Sequence, residues 1–255
     1  MGTAFLMGQS GSGGSSNADL KAVIERNAVN PVLPDDLTTV GQYAFYYCTG
    51  LAVASLPSGV TSIGQYAFDY CWALALTSLP SGVTSIGIHA FESCPHLALT
   101  SLPSGVTSIG QYAFSQCTNL ALTSLPSGMT SIGDAAFSSC SSLALTSLPS
   151  GTTSIGSSAF FGCSSLIKLK CFCTSLGYTS FRNCTGLTKI WIPSTCTNIA
   201  IPYAGYSPFY GCTNVVIYTN ASAKLLGWDT YWNYTGDSTQ ATVNYNISEA
   251  AFDAL

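Results

Sequence analysis

The chain repeats a short motif at a constant interval. Six cysteines are spaced 23 residues apart, at Cys48, Cys71, Cys94, Cys117, Cys140 and Cys163. Six phenylalanines keep the same interval, at Phe45, Phe68, Phe91, Phe114, Phe137 and Phe160. A fixed period between about 20 and 50 residues is typical of a solenoid, in which one supersecondary unit stacks on copies of itself. The repeat therefore predicts a stacked array.

The third copy illustrates the structure expected of each coil. Leu74 to Leu79 is predicted to be a short strand, and Pro80-Ser81-Gly82 a turn, because proline lacks a donor and glycine accepts unusual dihedrals. Val83 to Ile86 is predicted to be a second extended piece. Gly87 then begins a helical turn that carries three small or apolar residues into the core, namely Ala90, Phe91 and Cys94.

The pattern Leu-Pro-Ser-Gly-Val-Thr-Ser-Ile-Gly-x-x-Ala-Phe-x-x-Cys resembles the BspA-type leucine-rich repeat, and the resemblance covers roughly residues 33–215. It implies an α/β repeat solenoid: a right-handed superhelix of about eight coils, with short β-strands in a parallel sheet, short helical turns and a cap at each end. There is one departure. The family has a second apolar residue three positions after the leading leucine, as in Leu187-x-x-Ile190, whereas the third copy has Thr77 there. The strand of the central coils is therefore expected to differ.

Four segments are predicted along the chain. Residues 1–16 are rich in glycine and serine and are expected to be a flexible tether, which is also a candidate for homo-oligomer contacts. Residues 17–30 are predicted to be an N-terminal cap helix, because Leu20, Val23 and Ile24 follow helical spacing. Residues 31–215 form the predicted solenoid, and residues 216–255 a C-terminal cap and tail.

Charge and hydropathy exclude several classes of partner. All seven basic residues lie outside the central array, so no basic stripe is available for nucleic acid. No apolar run approaches the roughly 20 residues that cross a bilayer, so membrane insertion is not expected. The N-terminus has neither a positive segment nor a long apolar one, so no signal peptide is predicted in the chain.

The cysteines are predicted to be buried free thiols. One cysteine per coil at a constant phase forms a ladder along the solenoid axis, where side chains run parallel rather than towards one another. Free cysteine behaves as a small buried apolar residue. Oxidation is expected, if anywhere, at Cys171, Cys173 and Cys196, which depart from the regular spacing.

The copies differ mainly in the two residues after the repeat glycine and in those around the cysteine, and these variable positions are predicted to be solvated. Exposed tyrosine and tryptophan offer a flat apolar face with a polar group, which suits protein partners or sugar rings. The candidate binding residues are the ring-bearing and imidazole side chains at these positions: Tyr43, Tyr47, Tyr66, Tyr70, Trp72, His89, His96 and Tyr112.

Catalysis finds little support in the sequence. Between residues 38 and 167 the acids are Asp69, Glu92 and Asp134; Asp134 follows a glycine and the others follow phenylalanine, so no facing pair for glycoside hydrolysis is predicted. His89 and His96 lack the further ligands that a metal requires. No phosphate loop or dinucleotide motif is present. The sequence therefore predicts no catalytic residues, no metal and no cofactor.

The first hypothesis is a non-enzymatic recognition or adhesion module that binds a host or bacterial surface protein or glycan, at a cell surface or outside the cell. The alternative is a phage tail tip or fibre, since virion proteins need no export. Two hypotheses from other classes are a polysaccharide depolymerase and an ice-binding scaffold, the latter because Thr61, Thr84, Thr107 and Thr130 could form a hydroxyl ladder.

Overall fold

The computed structural model describes residues 31–199, 204–224, 228, 232–236 and 239–255. They form a solenoid of about eight stacked coils with parallel strands and little helix. The predicted tether at 1–16 and cap helix at 17–30 lie outside the described residues. Within the described part of the chain, no helix has the length and apolar character to cross a membrane.

Two parallel sheets run along the stack. The first has seven strands, one per coil, in the order β1-β2-β3-β4-β5-β6-β8. These strands are β1 (Thr39–Val40), β2 (Ser62–Ile63), β3 (Ser85–Ile86), β4 (Ser108–Ile109), β5 (Ser131–Ile132), β6 (Ser154–Ile155) and β8 (Ser175–Leu176). The second sheet has the order β11-β10-β9-β7, formed by β7 (Lys168–Lys170), β9 (Lys189–Trp191), β10 (Val216–Tyr218) and β11 (Thr242–Asn244).

The strand predicted from Leu74 to Leu79 is wrong for the central coils, where only the second extended piece forms a regular strand. Leu74 and Leu76 are buried on alternate positions, but Thr77 and Ser78 are both exposed before the buried Leu79, which breaks the alternation of a strand. The second sheet begins at β7, where the sequence regains the family pattern: Leu166 and Leu169 are three residues apart, and both are buried. The central coils, which have a residue such as Thr77 at this position, therefore lack a strand of the second sheet.

The predicted helical turn is instead a run of turns. Alternate N–H groups donate to the next coil, as in Phe91 to Ala113 O at 2.8 Å, while those between donate within the coil, as in Ala90 to Gly87 O at 3.3 Å. A helix would send every N–H to the carbonyl four residues earlier. The helices of the described residues are a 3₁₀ turn (Ala204–Tyr206) and the short α1 (Glu249–Asp253).

Two ladders of side chains run through the core, among buried leucine, isoleucine and valine side chains. The repeat phenylalanines are fully buried, and their rings stack at centroid distances that run from 5.0 Å for Phe45–Phe68 to 5.9 Å for Phe181–Phe209. Beside them the thiols of seven coils donate to the phenylalanine carbonyl of the preceding coil, as in Cys94 Sγ to Phe68 O at 3.0 Å. The eleven cysteines are free, as predicted, and all but the half-buried Cys48 are buried.

The C-terminal segment packs across the second sheet. The ring of Phe252, on α1, is fully buried and lies 4.8 Å from Lys168 Nζ. Lys170 forms ion pairs of 3.0 Å with both Glu249 and Asp253. The last helix and the C-terminal residue therefore contact three of the seven basic residues of the chain, Lys168, Lys170 and Lys189.

Candidate ligand-binding face

The variable positions of the repeat form two columns along the turn segments, and both columns have left-handed backbone. The first column includes Tyr43, Tyr66, His89, Tyr112, Ala135 and Ser158, with φ between 50° and 57°. The second includes Tyr47, Tyr70, Ser93, Gln116, Ser139 and Gly162, with φ between 54° and 70°. Left-handed backbone costs a residue with a Cβ about 1–2 kcal/mol, so each coil contains two strained positions.

Hydrogen bonds between coils hold this conformation. The N–H of Tyr66 donates to Ile88 O at 2.9 Å, and the N–H of Tyr70 donates to Glu92 O, also at 2.9 Å. The same bonds recur in every coil from the first to the sixth. The strain is therefore a property of the stacked array and would be lost in an isolated coil.

The first column is a continuous ring stack. Tyr43 and Tyr66 are 4.8 Å apart, Tyr66 and His89 4.4 Å, and His89 and Tyr112 4.8 Å, with interplanar angles of 4°, 8° and 9°. In the second column, Tyr47 and Tyr70 stack at 4.6 Å. Offset stacking of this kind stabilises by about 0.5–1.5 kcal/mol for each pair beyond area burial, which offsets part of the backbone strain.

A groove of about 700 Å³ opens where the large rings of the second column give way to small side chains. Its ring-bearing lining is Tyr70, Trp72 and Tyr112, and the side chain of Trp72 is half exposed. The remaining polar lining is Ser93, Ser115, Gln116, Thr118, Ser138 and Ser139. Ligand sites in proteins are typically clefts of about 300–1,000 Å³ with apolar walls and a few polar groups, so the groove has the size and character of a binding site.

The groove has one acidic side chain in its lining. This is Glu92, which contacts Nδ1 of His89. Asp69 occupies the same position one coil earlier, is only 2% exposed, and has an Oδ1 atom without a hydrogen-bond partner among the described residues. Burial, and then the charge of Glu92, raise the pKa of Asp69 to about 7. Burial above all, and then the two carboxyl groups, raise the pKa of the Tyr70 hydroxyl as well.

The structure distributes the predicted binding residues unevenly. Tyr70, Trp72 and Tyr112 line the groove, whereas Tyr43, Tyr66 and His89 continue the stack that ends at Tyr112. Tyr47 stacks behind Tyr70, and His96 is exposed but outside the lining.

Sequence reasoning missed Glu92 and the serines of the lining. The prediction that all variable positions are solvated is wrong, because Asp69, Ser93 and Ser115 are buried. The signal in the sequence was that Asp69 and Glu92 are one repeat apart, which places them in adjacent coils.

The threonine ladder is exposed, but three of its four hydroxyls, those of Thr61, Thr84 and Thr130, donate hydrogen bonds to the preceding coil. Thr61 Oγ1 donates to Thr38 O at 3.2 Å, and Thr130 Oγ1 donates to Thr107 O at 3.3 Å. These donors therefore serve the stack. As to metals, the part of the chain that the structure describes contains no group of three or more His, Cys, Asp or Glu side chains placed to hold an ion.

A stack of near-identical coils with variable rings along one side defines a repeat scaffold of the class that presents side chains for recognition. The model of the BspA type leucine rich repeat region matches six copies over residues 24–144 and 89–216. The chain belongs to this family.

The comparison with solved structures found several similar bacterial proteins. The leucine-rich repeat protein of T. pallidum is 36% identical with a TM-score of 0.55, and the match covers 63% of this chain and 78% of that one. A leucine-rich cell surface protein of Faecalibacterium prausnitzii is 24% identical with a TM-score of 0.42, over 87% and 80% of the two chains. The pneumococcal vaccine antigen PcpA is 14% identical with a TM-score of 0.43, over 85% and 79%. No curated protein matches the chain.

Proposed function

We propose that this protein is a non-enzymatic recognition module that binds a glycan or protein partner through the groove bounded by Tyr70, Trp72 and Tyr112. The observation that carries the proposal is the half-exposed Trp72 beside the groove, in an array whose other large apolar side chains are mostly buried. Aromatic side chains of this kind bind partners because they supply apolar area at low conformational cost.

The family supports a binding role, since leucine-rich repeat proteins of this type typically bind rather than catalyse. The module acts where its partner is accessible, on the surface of a cell or of a virion. The groove is formed by rigid, stacked backbone, so binding needs little rearrangement of the coils.

The test is a binding screen against a glycan array and against whole cells. The triple variant Tyr70→Ala, Trp72→Ala, Tyr112→Ala is expected to lose most of the binding that the unaltered protein shows. Tyr178→Ala is the matched control, because that ring is also exposed but lies outside the groove. Unchanged binding by the triple variant would refute the groove as the site.

A further inference from the structure

The groove lies in a negatively charged part of the molecule. No basic residue occurs between Arg26 and Lys168, a stretch that contains five acids. Glu92 is in the lining, and Asp69 lies directly before Tyr70 of the wall. A field of one sign in a cleft attracts ligands of the opposite sign and repels those of the same sign. Anionic sugars and acidic peptides are therefore poor candidates for this groove.

The position of Glu92 favours a cation over a neutral ligand. Glu92 is the one acidic side chain of the lining, whereas Asp69 is buried outside it. The base nearest to Glu92 is His89, whose ring is fixed between Tyr66 and Tyr112. A ligand ammonium group in the groove would be attracted by the carboxyl group of Glu92.

The aromatic rings of the groove also favour a cationic ligand. A cation over the face of tryptophan or tyrosine is stabilised by the ring quadrupole, and tryptophan gives the strongest effect. Trp72 is half exposed, and Tyr70 and Tyr112 belong to the same lining. Carboxylate and aromatic groups are thus combined in one cleft, the chemistry that proteins use to bind ammonium ions.

The polar lining distinguishes between sources of an ammonium group. Four serines, a threonine and a glutamine line the groove, and their hydroxyl and amide groups can both donate and accept hydrogen bonds. Such a surface matches the hydroxyl groups of a sugar. A lysine side chain presents an aliphatic stem with no hydroxyl groups and leaves these groups to water.

Building on the proposed function, we infer that the groove binds an amino sugar that carries a free ammonium group, in preference to its N-acetylated form. The sugar ring packs against Trp72, its hydroxyls contact the serine and glutamine side chains, and its ammonium group lies at the end of the groove that carries Glu92.

The experiment compares oligomers of β-1,4-linked glucosamine with N-acetylglucosamine oligomers of equal length, by calorimetry at mildly acidic pH and low salt. The unaltered protein is expected to bind the glucosamine oligomer about 5–30-fold more tightly, the range expected of one cation–π and carboxylate contact. Glu92→Gln is expected to remove most of this preference. The matched control is Asp134→Asn, which changes the net charge equally at an exposed position outside the lining.

A second variant guards against misfolding of the first. Trp72→Leu keeps apolar surface at an exposed position but removes the ring, and it is expected to reduce the preference about threefold or more. Equal affinity for the two oligomers, or equal effects of Glu92→Gln and Asp134→Asn, would overturn the inference. Oligolysine binding as tightly as the amino sugar, with the same dependence on Glu92, would overturn it too. The proposed function stands if neutral glycans or proteins bind at the groove, and fails only if the triple variant binds normally.

Discussion

Adding one methyl group at Gly110 tests how closely the coils are stacked. A Cβ built on Gly110 would lie 2.7 Å from the Gly87 carbonyl carbon and 2.7 Å from the Ile88 nitrogen, both backbone atoms of the preceding coil. Since 3.4 Å is the lower limit of ordinary contact, the two coils must separate locally by 3.4 − 2.7 = 0.7 Å. Side-chain rotation cannot relieve this overlap.

The cost follows from the hydrogen bonds that cross the same interface. The bond from Gly110 N to Ile86 O is already 3.3 Å long, and the bond from His89 N to Gln111 O is 2.9 Å. A shift of this size takes both beyond the normal range, at about 0.5–1.5 kcal/mol each. Overpacking adds about 1–3 kcal/mol. Gly110→Ala is therefore expected to lower the free energy of unfolding by about 2–6 kcal/mol.

Gly128→Ala provides a control of opposite sign. It adds the same methyl group, but the nearest atom is Thr107 Cγ2 at 4.0 Å, and the backbone there is not left-handed. Replacing such a glycine by alanine reduces the entropy of the unfolded chain and stabilises by about 0.4–1 kcal/mol. The measurement is urea unfolding followed by circular dichroism. If the two variants unfold at the same urea concentration, the close stacking described above is wrong.

Three further predictions concern protonation, the thiol ladder and the C-terminal segment. The folded pKa of Asp69 is about 7, against an ordinary value of 3.8, so the folded state binds an extra proton between these pH values. The free energy of unfolding should therefore fall as pH rises from about 4 to about 7, by at most about 4 kcal/mol. Asp69→Asn should flatten the curve of unfolding free energy against pH, and an unchanged curve would contradict the burial of this carboxyl group. Burial raises the pKa of the Cys117 thiol well above its ordinary value, so alkylation by iodoacetamide in native buffer should be negligible until denaturant is added, whereas rapid native labelling would contradict the ladder. Phe252→Ala should cost about 3–5 kcal/mol of local stability and increase hydrogen exchange in residues 245–255, while exchange in β3 stays the same; equal change in both would mean that the segment does not pack as described.

The core could be predicted from the sequence because it depends on spacing alone. Phe91 and Cys94 are in phase with every other copy, and residues in phase must meet in a stack. The backbone conformation around these two residues could not be predicted, because hydrogen bonds that alternate within and between coils leave no signal in the sequence of one copy. The same holds for the burial of Asp69, since a carboxyl group among variable residues suggests solvent. Its position one repeat before Glu92 indicated that the two residues lie in adjacent coils, but not that the Asp69 carboxyl group is buried.

The residues on left-handed backbone also bear on the proposed function. At positions with positive φ, stability alone favours glycine, which is found there as Gly162, with φ 70°, and Gly211, with φ 85°. The early coils instead carry rings at Tyr43, Tyr66 and Tyr112. Stacking offsets some of the strain, but it does not explain why two rings of the groove wall, Tyr70 and Tyr112, lie on strained backbone. Strained residues concentrate at ligand sites, where the surrounding structure holds them in one conformation. The array holds Tyr70 and Tyr112 through hydrogen bonds to the next coil, so a ligand in the proposed groove would meet aromatic faces that are already ordered.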